Sequence, residues 1–463
     1  MKIKTISKED ALSLCSKMET HFFDYKSKAI STAKLQKVCV AFANADGGEV
    51  LIGVEDSKEG SNPLDRWDGH QTIEEYNSHI QGLYNLNPSL PLAFEFYACP
   101  ELTGLLLSIS VEKSGKVAKS ADGNVYVRRN ASSVPYADSE KIRELEYSKG
   151  IISFEEELVP NADTEAVAES KTLGVFLNDF SPKTSCLDYV VNEYLIDRKS
   201  WTPKYAGLLL FCDSPAAILP RKCSVKIARY ETKGDELDRD ALKETWTVEG
   251  PVYSLINDSI SKINTVLSKV TIWTIDGIKT VSYPAEALWE VFVNAIIHRD
   301  YSISDDVQIL IYDNRVEIKS PGKLPAHVTA NNILQERFTR NTKLVRTLAR
   351  YKNPPNKDLG EGLNTAFQKM KEWKLQQPVI EEKDNYVVVT IAHTPLARPE
   401  ELVLEFLNKN PSITNKQGRD LSGIRDSNEM KRVFYKLRDS GEIEPVPEMK
   451  GVSSAWRKKG GSN

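Results

Sequence analysis

Pro284–Tyr301 reads PAEALWEVFVNAIIHRDY, a stretch apolar on nearly every side except at Glu286, Glu290, Asn294 and His298, which recur every four residues. At about 3.6 residues per turn this spacing stacks the four polar side chains on one face of a helix, and Leu288, Val291, Phe292, Ala295 and Ile296 cover much of the rest. A helix apolar on so many sides is a buried one. A carboxylate or an amide inside a protein costs several kcal/mol unless it finds partners. The stripe of Glu290 and Asn294 therefore meets an internal polar network or faces a ligand.

Two glycine-containing stretches downstream bear on that choice. KSPGKLP places Gly322 at a predicted strand end, and DLGEGLNTAF places Gly360 and Gly362 just before a helix expected from near Leu363. Glycine lets backbone amides approach a phosphate, and a helix N-terminus adds donors and positive potential. In this order, a Glu-xxx-Asn helix, a strand-glycine turn and a GxGL helix, residues 281–394 resemble the GHKL ATP-binding fold in its bacterial, RecG-related HATPase-like branch with NAxxHRDY and SPGxLP. The resemblance implies that Asn294 coordinates Mg²⁺ on a triphosphate, that Glu290 orients or deprotonates the attacking water, and that Gly322, Gly360, Gly362 and His298 belong to the nucleotide site. An amide oxygen suits magnesium, and a carboxylate one turn away suits general-base work. One departure stands out: the fold usually has an aspartate before the glycine turn, and here Ser320 stands there. Nucleotide binding is the expectation, with ATP hydrolysis left open. His298, Arg299 and Asp300 spell HRD, but the downstream kinase motifs are absent, as is any GxxxxGK[ST] loop.

Near the N-terminus METHFFDYKSK carries Glu19, Asp24 and Lys26, and Asp56 closes the strand in GGEVLIGVED. Three converging carboxylates bind one or two divalent cations and polarise a phosphodiester, with Lys26 balancing charge. Solvated acids are the ordinary alternative. AFANADGGEVLIGVED, the upstream Glu/Asp-x-Lys and VYVRRNASSVP together resemble the Schlafen/AlbA-like domain over roughly residues 14–137. The resemblance implies a metal-dependent nuclease trio at Glu19, Asp24 and Asp56, acting on structured RNA such as tRNA, or a domain that only binds nucleic acid. Arg128 and Arg129 are expected phosphate contacts, or else an ordinary polar hairpin tip.

From Pro399 onward the pattern is helix, helix, helix, β-ribbon, which fits a winged helix-turn-helix. Met430, Val433, Phe434 and Leu437 mark the buried face of the third helix, and Lys431, Arg432, Lys436 and Arg438 its exposed face. Nucleic-acid binding and protein contact both remain open for it.

With 463 residues, several domains are expected, since single cores stop growing near about 250–300 residues. A net charge of −4 with 27% charged residues confines any nucleic-acid contact to local patches. Six cysteines without a CxxC pair argue for a reducing compartment, and the absence of a long apolar run for a cytoplasmic soluble protein. The expected fold class is α+β multidomain: a Schlafen/AlbA-like domain (1–150), a connector (151–280) opening with a linker near 151–165 and holding a buried strand at AGLLLFCDSP, a GHKL-like α/β sandwich (281–395), and a winged helix (396–463). The expected function is a nucleotide-regulated, metal-dependent nuclease using Mg²⁺ or Mn²⁺ and ATP, with RNA favoured, in stress or anti-phage defence and as a homo-oligomer. The rival is a non-catalytic ATP-binding transcriptional regulator on DNA.

Overall fold

The computed structural model describes residues 3–56, 62–234, 239–274, 277–356, 362–373, 375–393, 399–424, 426–447 and 454–459. The chain divides into two units, residues 1–152 with 324–338, and residues 153–323 with 339–463.

In the first unit, β1 (Ile3–Thr5), β2 (Phe23–Lys26), β3 (Gly48–Ile52), β4 (Leu92–Ala98) and β5 (Leu106–Val111) form one sheet of order β1-β4-β5-β3-β2. β2 runs parallel to β3 and β1 to β4, while β5 is antiparallel to both its neighbours. A parallel pair needs a crossover, and the helix Thr32–Asn44 supplies it between β2 and β3. Ser31 caps its start, accepting from the Lys34 amide. Its Leu35, Cys39 and Phe42 join Val50, Ile52, Leu107 and Ile109 in one core. At its end the Asn44 side chain donates to the carbonyls of Ala118 and Tyr126 and accepts from the Ala118 amide, at 2.8–2.9 Å. That buried amide ties the helix to the hairpin of β6 (Val125–Arg129) and β7 (Ser132–Tyr136). The segment 324–338 is held in the same unit: Lys113 Nζ donates to the Leu324 carbonyl at 2.7 Å, and the Ala326 amide to the Lys149 carbonyl at 3.1 Å.

In the second unit, β8 (Val225–Tyr230), β9 (Leu242–Val248), β12 (Val307–Ile311), β13 (Arg315–Pro321), β14 (Val379–Lys383) and β15 (Tyr386–Ala392) form a six-stranded sheet of order β14-β15-β13-β12-β8-β9. β10 (Thr271–Thr274) and β11 (Gly277–Thr280) make a separate ribbon. β8 and β12 are parallel and the other pairs antiparallel. The boundary expected at residue 280 therefore runs through one sheet, because β8 and β9 pair with strands from beyond it. The helix Ala285–Ile297 packs against the helices Val252–Leu267 and Gly362–Glu372 and against β13.

Two further expectations change. AGLLLFCDSP is a helix, Tyr205–Phe211, and every residue of it is buried. A short apolar run without a period reads alike as buried strand or buried helix. The acid cluster expected as a linker is structural: Glu155 is fully buried and accepts the Lys343 and Leu344 amides at 2.8 and 2.9 Å, at the start of the helix Thr342–Leu348.

The chain ends in the helices Pro399–Lys409, Asn415–Ser422 and Ser427–Asp439, with β16 (Ile413–Thr414), β17 (Ile443–Pro445) and β18 (Ala455–Lys458) in a sheet of order β16-β18-β17. Val403, Phe406, Met430, Phe434 and Leu437 form its core. The division expected at residue 395 falls outside the described residues. Among the described residues no helix is long and apolar enough to cross a membrane.

Candidate functional site

The polar stripe of the helix Ala285–Ile297 is less buried than its sequence implies: Glu286 is exposed, and Glu290 and Asn294 are half-buried. Glu290 lies over the first turn of the helix Gly362–Glu372, where a Cβ on residue 362 would stand 2.0 Å from Glu290 Oε2. A side chain at residue 362 would therefore push the Glu290 carboxylate aside. Its neighbourhood also suits a carboxylate, since the positive end of a helix favours an anion. Gly360 lies outside the described residues.

On the other side, Ser320 is buried and its Oγ donates to the Ala295 carbonyl at 2.7 Å. The residue that replaces the usual aspartate is thereby committed to clamping β13 onto the helix. Gly322 comes next but one, with φ +108° and its amide donating to Asn385 O at 2.7 Å.

Arg299, Asp300 and Tyr301 organise backbone, the Tyr301 hydroxyl donating to Ile296 O at 3.3 Å. Arg299 is buried and donates to the carbonyls of Lys222, Ile303 and Asp305, and Asp300 accepts from the Ser302 amide and hydroxyl. Two residues that the sequence reading passed over complete the cluster. Arg340 donates to Lys323 O at 2.8 Å and His298 O at 3.4 Å, and Asn341 donates to Ile297 O and Arg299 O, both at 2.9 Å. A polar Arg-Asn pair just before a helix start was the available signal. Burial, reinforced by the Arg340 guanidinium, pulls the His298 pKa down to about 4, so its imidazole is neutral at pH 7. Its Nδ1 is buried without a partner among the described residues.

In the first unit, strand alternation puts Asp24 and Lys26 on one face of β2. Lys26 Nζ bonds Glu19 at 3.0 Å and also Asp24, and Arg128 Nη1 donates to Asp24 Oδ2 at 2.7 Å. Burial and then the hydrogen bond with Asp24 lift the Glu19 carboxyl above its ordinary pKa, although Lys26 opposes them. Burial works against the charge on Lys26, but Asp24 and Glu19 outweigh it and hold the ammonium above its ordinary value.

Arg128 corrects an expectation. It is buried, donates also to Thr20 O at 2.9 Å, and lies 4.7 Å from the Phe42 ring centroid, so it is the internal counter-ion of Asp24 and not a surface contact. Arg129 is exposed, with Nη2 donating to the Tyr136 hydroxyl at 2.7 Å. Asp56 does not join the cluster. It is exposed beyond the end of β3, and among the described residues no three His, Cys, Asp or Glu side chains are placed to hold a metal ion. Asp24 has each carboxylate oxygen on a cation. As placed, the Glu19–Asp24 pair is satisfied by Lys26 and Arg128, with no third acidic side chain joining it among the described residues.

On the C-terminal module Lys431, Arg432, Lys436 and Arg438 are all exposed on the helix Ser427–Asp439. Lys436 pairs with Glu400 at 2.7 Å and Arg438 with Asp439 at 2.8 Å, leaving Lys431 and Arg432 as the two of these four cations without an ion pair among the described residues.

Residues 19–137 match the Schlafen, AlbA_2 family. Residues 304–391 match the family described as the putative ATP-dependent DNA helicase recG C-terminal region. The first match opens on Glu19 and takes in Asp24, Lys26, Asp56, Arg128 and Arg129. The second holds Ser320, Gly322, Gly360 and Gly362, while Glu290, Asn294 and His298 precede it. The chain thus carries a Schlafen/AlbA-like region and an HATPase-like region in a mixed α+β fold. The comparison with curated proteins returned no match. Among solved structures, the DIP2311 protein from Corynebacterium diphtheriae is similar at 17% identity over 97% of this chain and 82% of that one, with a TM-score of 0.39.

Proposed function

We propose that this protein is a nucleotide-responsive nucleic-acid-binding protein whose first unit engages a phosphodiester backbone at the Glu19–Asp24–Lys26 cluster. The observation that carries the reading is the closed charge set around Asp24. Arg128 holds the carboxylate from inside, and Lys26, bridging to Glu19, presents a partly exposed ammonium. Such an arrangement gives a fixed cation for a phosphate without a metal. The second unit contributes the nucleotide site, formed by Glu290, Asn294, the Gly322 turn and the Gly362 helix. The C-terminal module has the element order of a winged helix and adds the Lys431–Arg432 face.

A second reading, a metal-dependent nuclease, is favoured by one observation: Glu19 and Asp24 stand together with the Glu19 pKa raised, a pair of acids that an incoming cation would relieve. Incubation with tRNA, single-stranded RNA and DNA, with and without Mg²⁺ or Mn²⁺, separates the two. Binding without cleavage supports the first. Metal-dependent cleavage lost on Glu19→Ala supports the second, and neither binding nor cleavage overturns both. For the nucleotide site, calorimetry should give Mg²⁺-dependent ATP binding that Asn294→Ala abolishes, and unchanged affinity in the variant would return Asn294 to a packing role.

A further inference from the structure

We infer that Phe22 is a base-stacking platform that selects unpaired nucleotides at the first unit's cluster, an inference that rests on the nucleic-acid-binding reading proposed above. A single exposed aromatic side chain is ordinary on a protein surface. Phe22 differs in how firmly an exposed ring, 58% accessible, is presented. Its amide donates to Thr20 Oγ1 at 3.2 Å and its carbonyl accepts the Glu49 amide at 2.9 Å. The loop is closed by the Thr20 amide donating to Phe23 O at 2.8 Å, and pinned by Arg128 donating to Thr20 O at 2.9 Å. The ring is braced as well. His21 stands edge-on to it, with centroids 4.9 Å apart and planes at 87°, and His21 Nε2 is fixed by Asp46 Oδ2 at 2.8 Å. The loop is therefore held by hydrogen bonds along its length, and it presents an exposed aromatic ring.

The position supplies the second half of the argument. Phe22 lies two residues before Asp24 and four before Lys26, and the buried Arg128 that neutralises Asp24 is the same side chain that pins the loop. Lys17, on the other side of the loop, holds its ammonium 4.7 Å from the Phe23 ring centroid. Four residues of extended chain separate Phe22 from Lys26 by roughly 13 Å, so a strand with a phosphate on Lys26 carries the base of a neighbouring nucleotide toward the ring, which binds any base by stacking. In a duplex both faces of each base are already occupied by neighbours. An aromatic side chain stacked on a base typically accounts for about 5- to 150-fold in affinity.

The test uses the full chain, with wild type, Phe22→Ala, Phe22→Tyr and Lys26→Ala compared by fluorescence anisotropy on a labelled single strand and on the perfectly paired duplex of the same sequence. Expected is a loss of about 5- to 150-fold in single-strand affinity for Phe22→Ala, duplex affinity unchanged, and near wild-type binding for Phe22→Tyr. Equal losses on single strand and duplex overturn the inference. So does unchanged single-strand binding by Phe22→Ala while Lys26→Ala weakens it, a result that leaves the nucleic-acid-binding reading standing. If wild type binds neither strand form, that reading fails and this inference with it. A change of sedimentation mass in Phe22→Ala overturns it by making the ring a contact between copies of the chain.

Discussion

Gly322 is a residue that no other amino acid replaces at low cost. Its φ of +108° is strained for any L side chain, and a Cβ there would stand 2.6 Å from Asp300 Cβ and 2.8 Å from Arg340 Nη1. Gly322→Ala should destabilise the second unit by roughly 2–5 kcal/mol, strain and overpacking together, read as a lower denaturant midpoint. At Asp24 the expectation is a charge left behind. Asp24→Ala strands the buried Arg128 guanidinium, which should cost roughly 3–5 kcal/mol, so calorimetric unfolding should accompany every activity assay of that variant. Two imidazoles, His393 buried and His298 half-buried, set a pH dependence. The pKa values of His298 and His393 are both pulled to about 4 by burial, from an ordinary 6.5. The unfolded chain then binds more protons between those values, so stability is complete above about pH 6.5 and falls as pH drops toward 4, by about 2 kcal/mol per histidine at pH 5. Denaturant midpoints at about pH 7.5 and 5 should differ accordingly, and His298→Gln should lessen the difference. A variant with the full wild-type difference would show that His298 does not titrate across that window.

At the scale of elements, how much was legible depended on whether the deciding contact was local. The helix Ala285–Ile297 could be read from Glu290, Asn294 and their apolar neighbours, because its period and burial are properties of one stretch. β3 and the end of β13 were similarly visible, as apolar runs bounded by turn residues. The helix Tyr205–Phe211 was not, since a run buried on every side has no period to betray it. The Asp24–Arg128 pair joins residues 104 apart in sequence, and the parallel pairing of β8 with β12 spans a comparable gap. Neither leaves a local trace, so Arg128 looked like a surface cation and the sheet looked like two domains. For the helix Ser427–Asp439 the exposed cations carry a quantitative expectation. Lys431→Glu with Arg432→Glu should weaken nucleic-acid binding across sequences and flatten its dependence on salt, by a slope change of about 0.7–0.9 per lost phosphate contact. Lys436→Ala should do less, because its ammonium already faces Glu400. Binding isotherms at several salt concentrations decide it.

Across the whole molecule, the low net charge means that affinity for a polyanion must come from fixed local cations such as Lys26 and the Lys431–Arg432 face. The chain's path adds a constraint of another kind. The first unit needs residues 324–338, where Leu324 and Ala326 bond Lys113 and Lys149, and where the Phe338 ring lies so close over Gly150 that a Cβ would come within 2.4 Å of it. A fragment ending at residue 152 should therefore melt below the same fragment supplied with the peptide 324–338, as differential scanning fluorimetry would register. The same path sets a timetable during synthesis. A ribosome adding roughly 5–20 residues per second needs about 10–40 s to travel from residue 152 to residue 338. Through that interval the N-terminal sheet waits for its last piece, a window in which chaperones and proteases meet it unfinished.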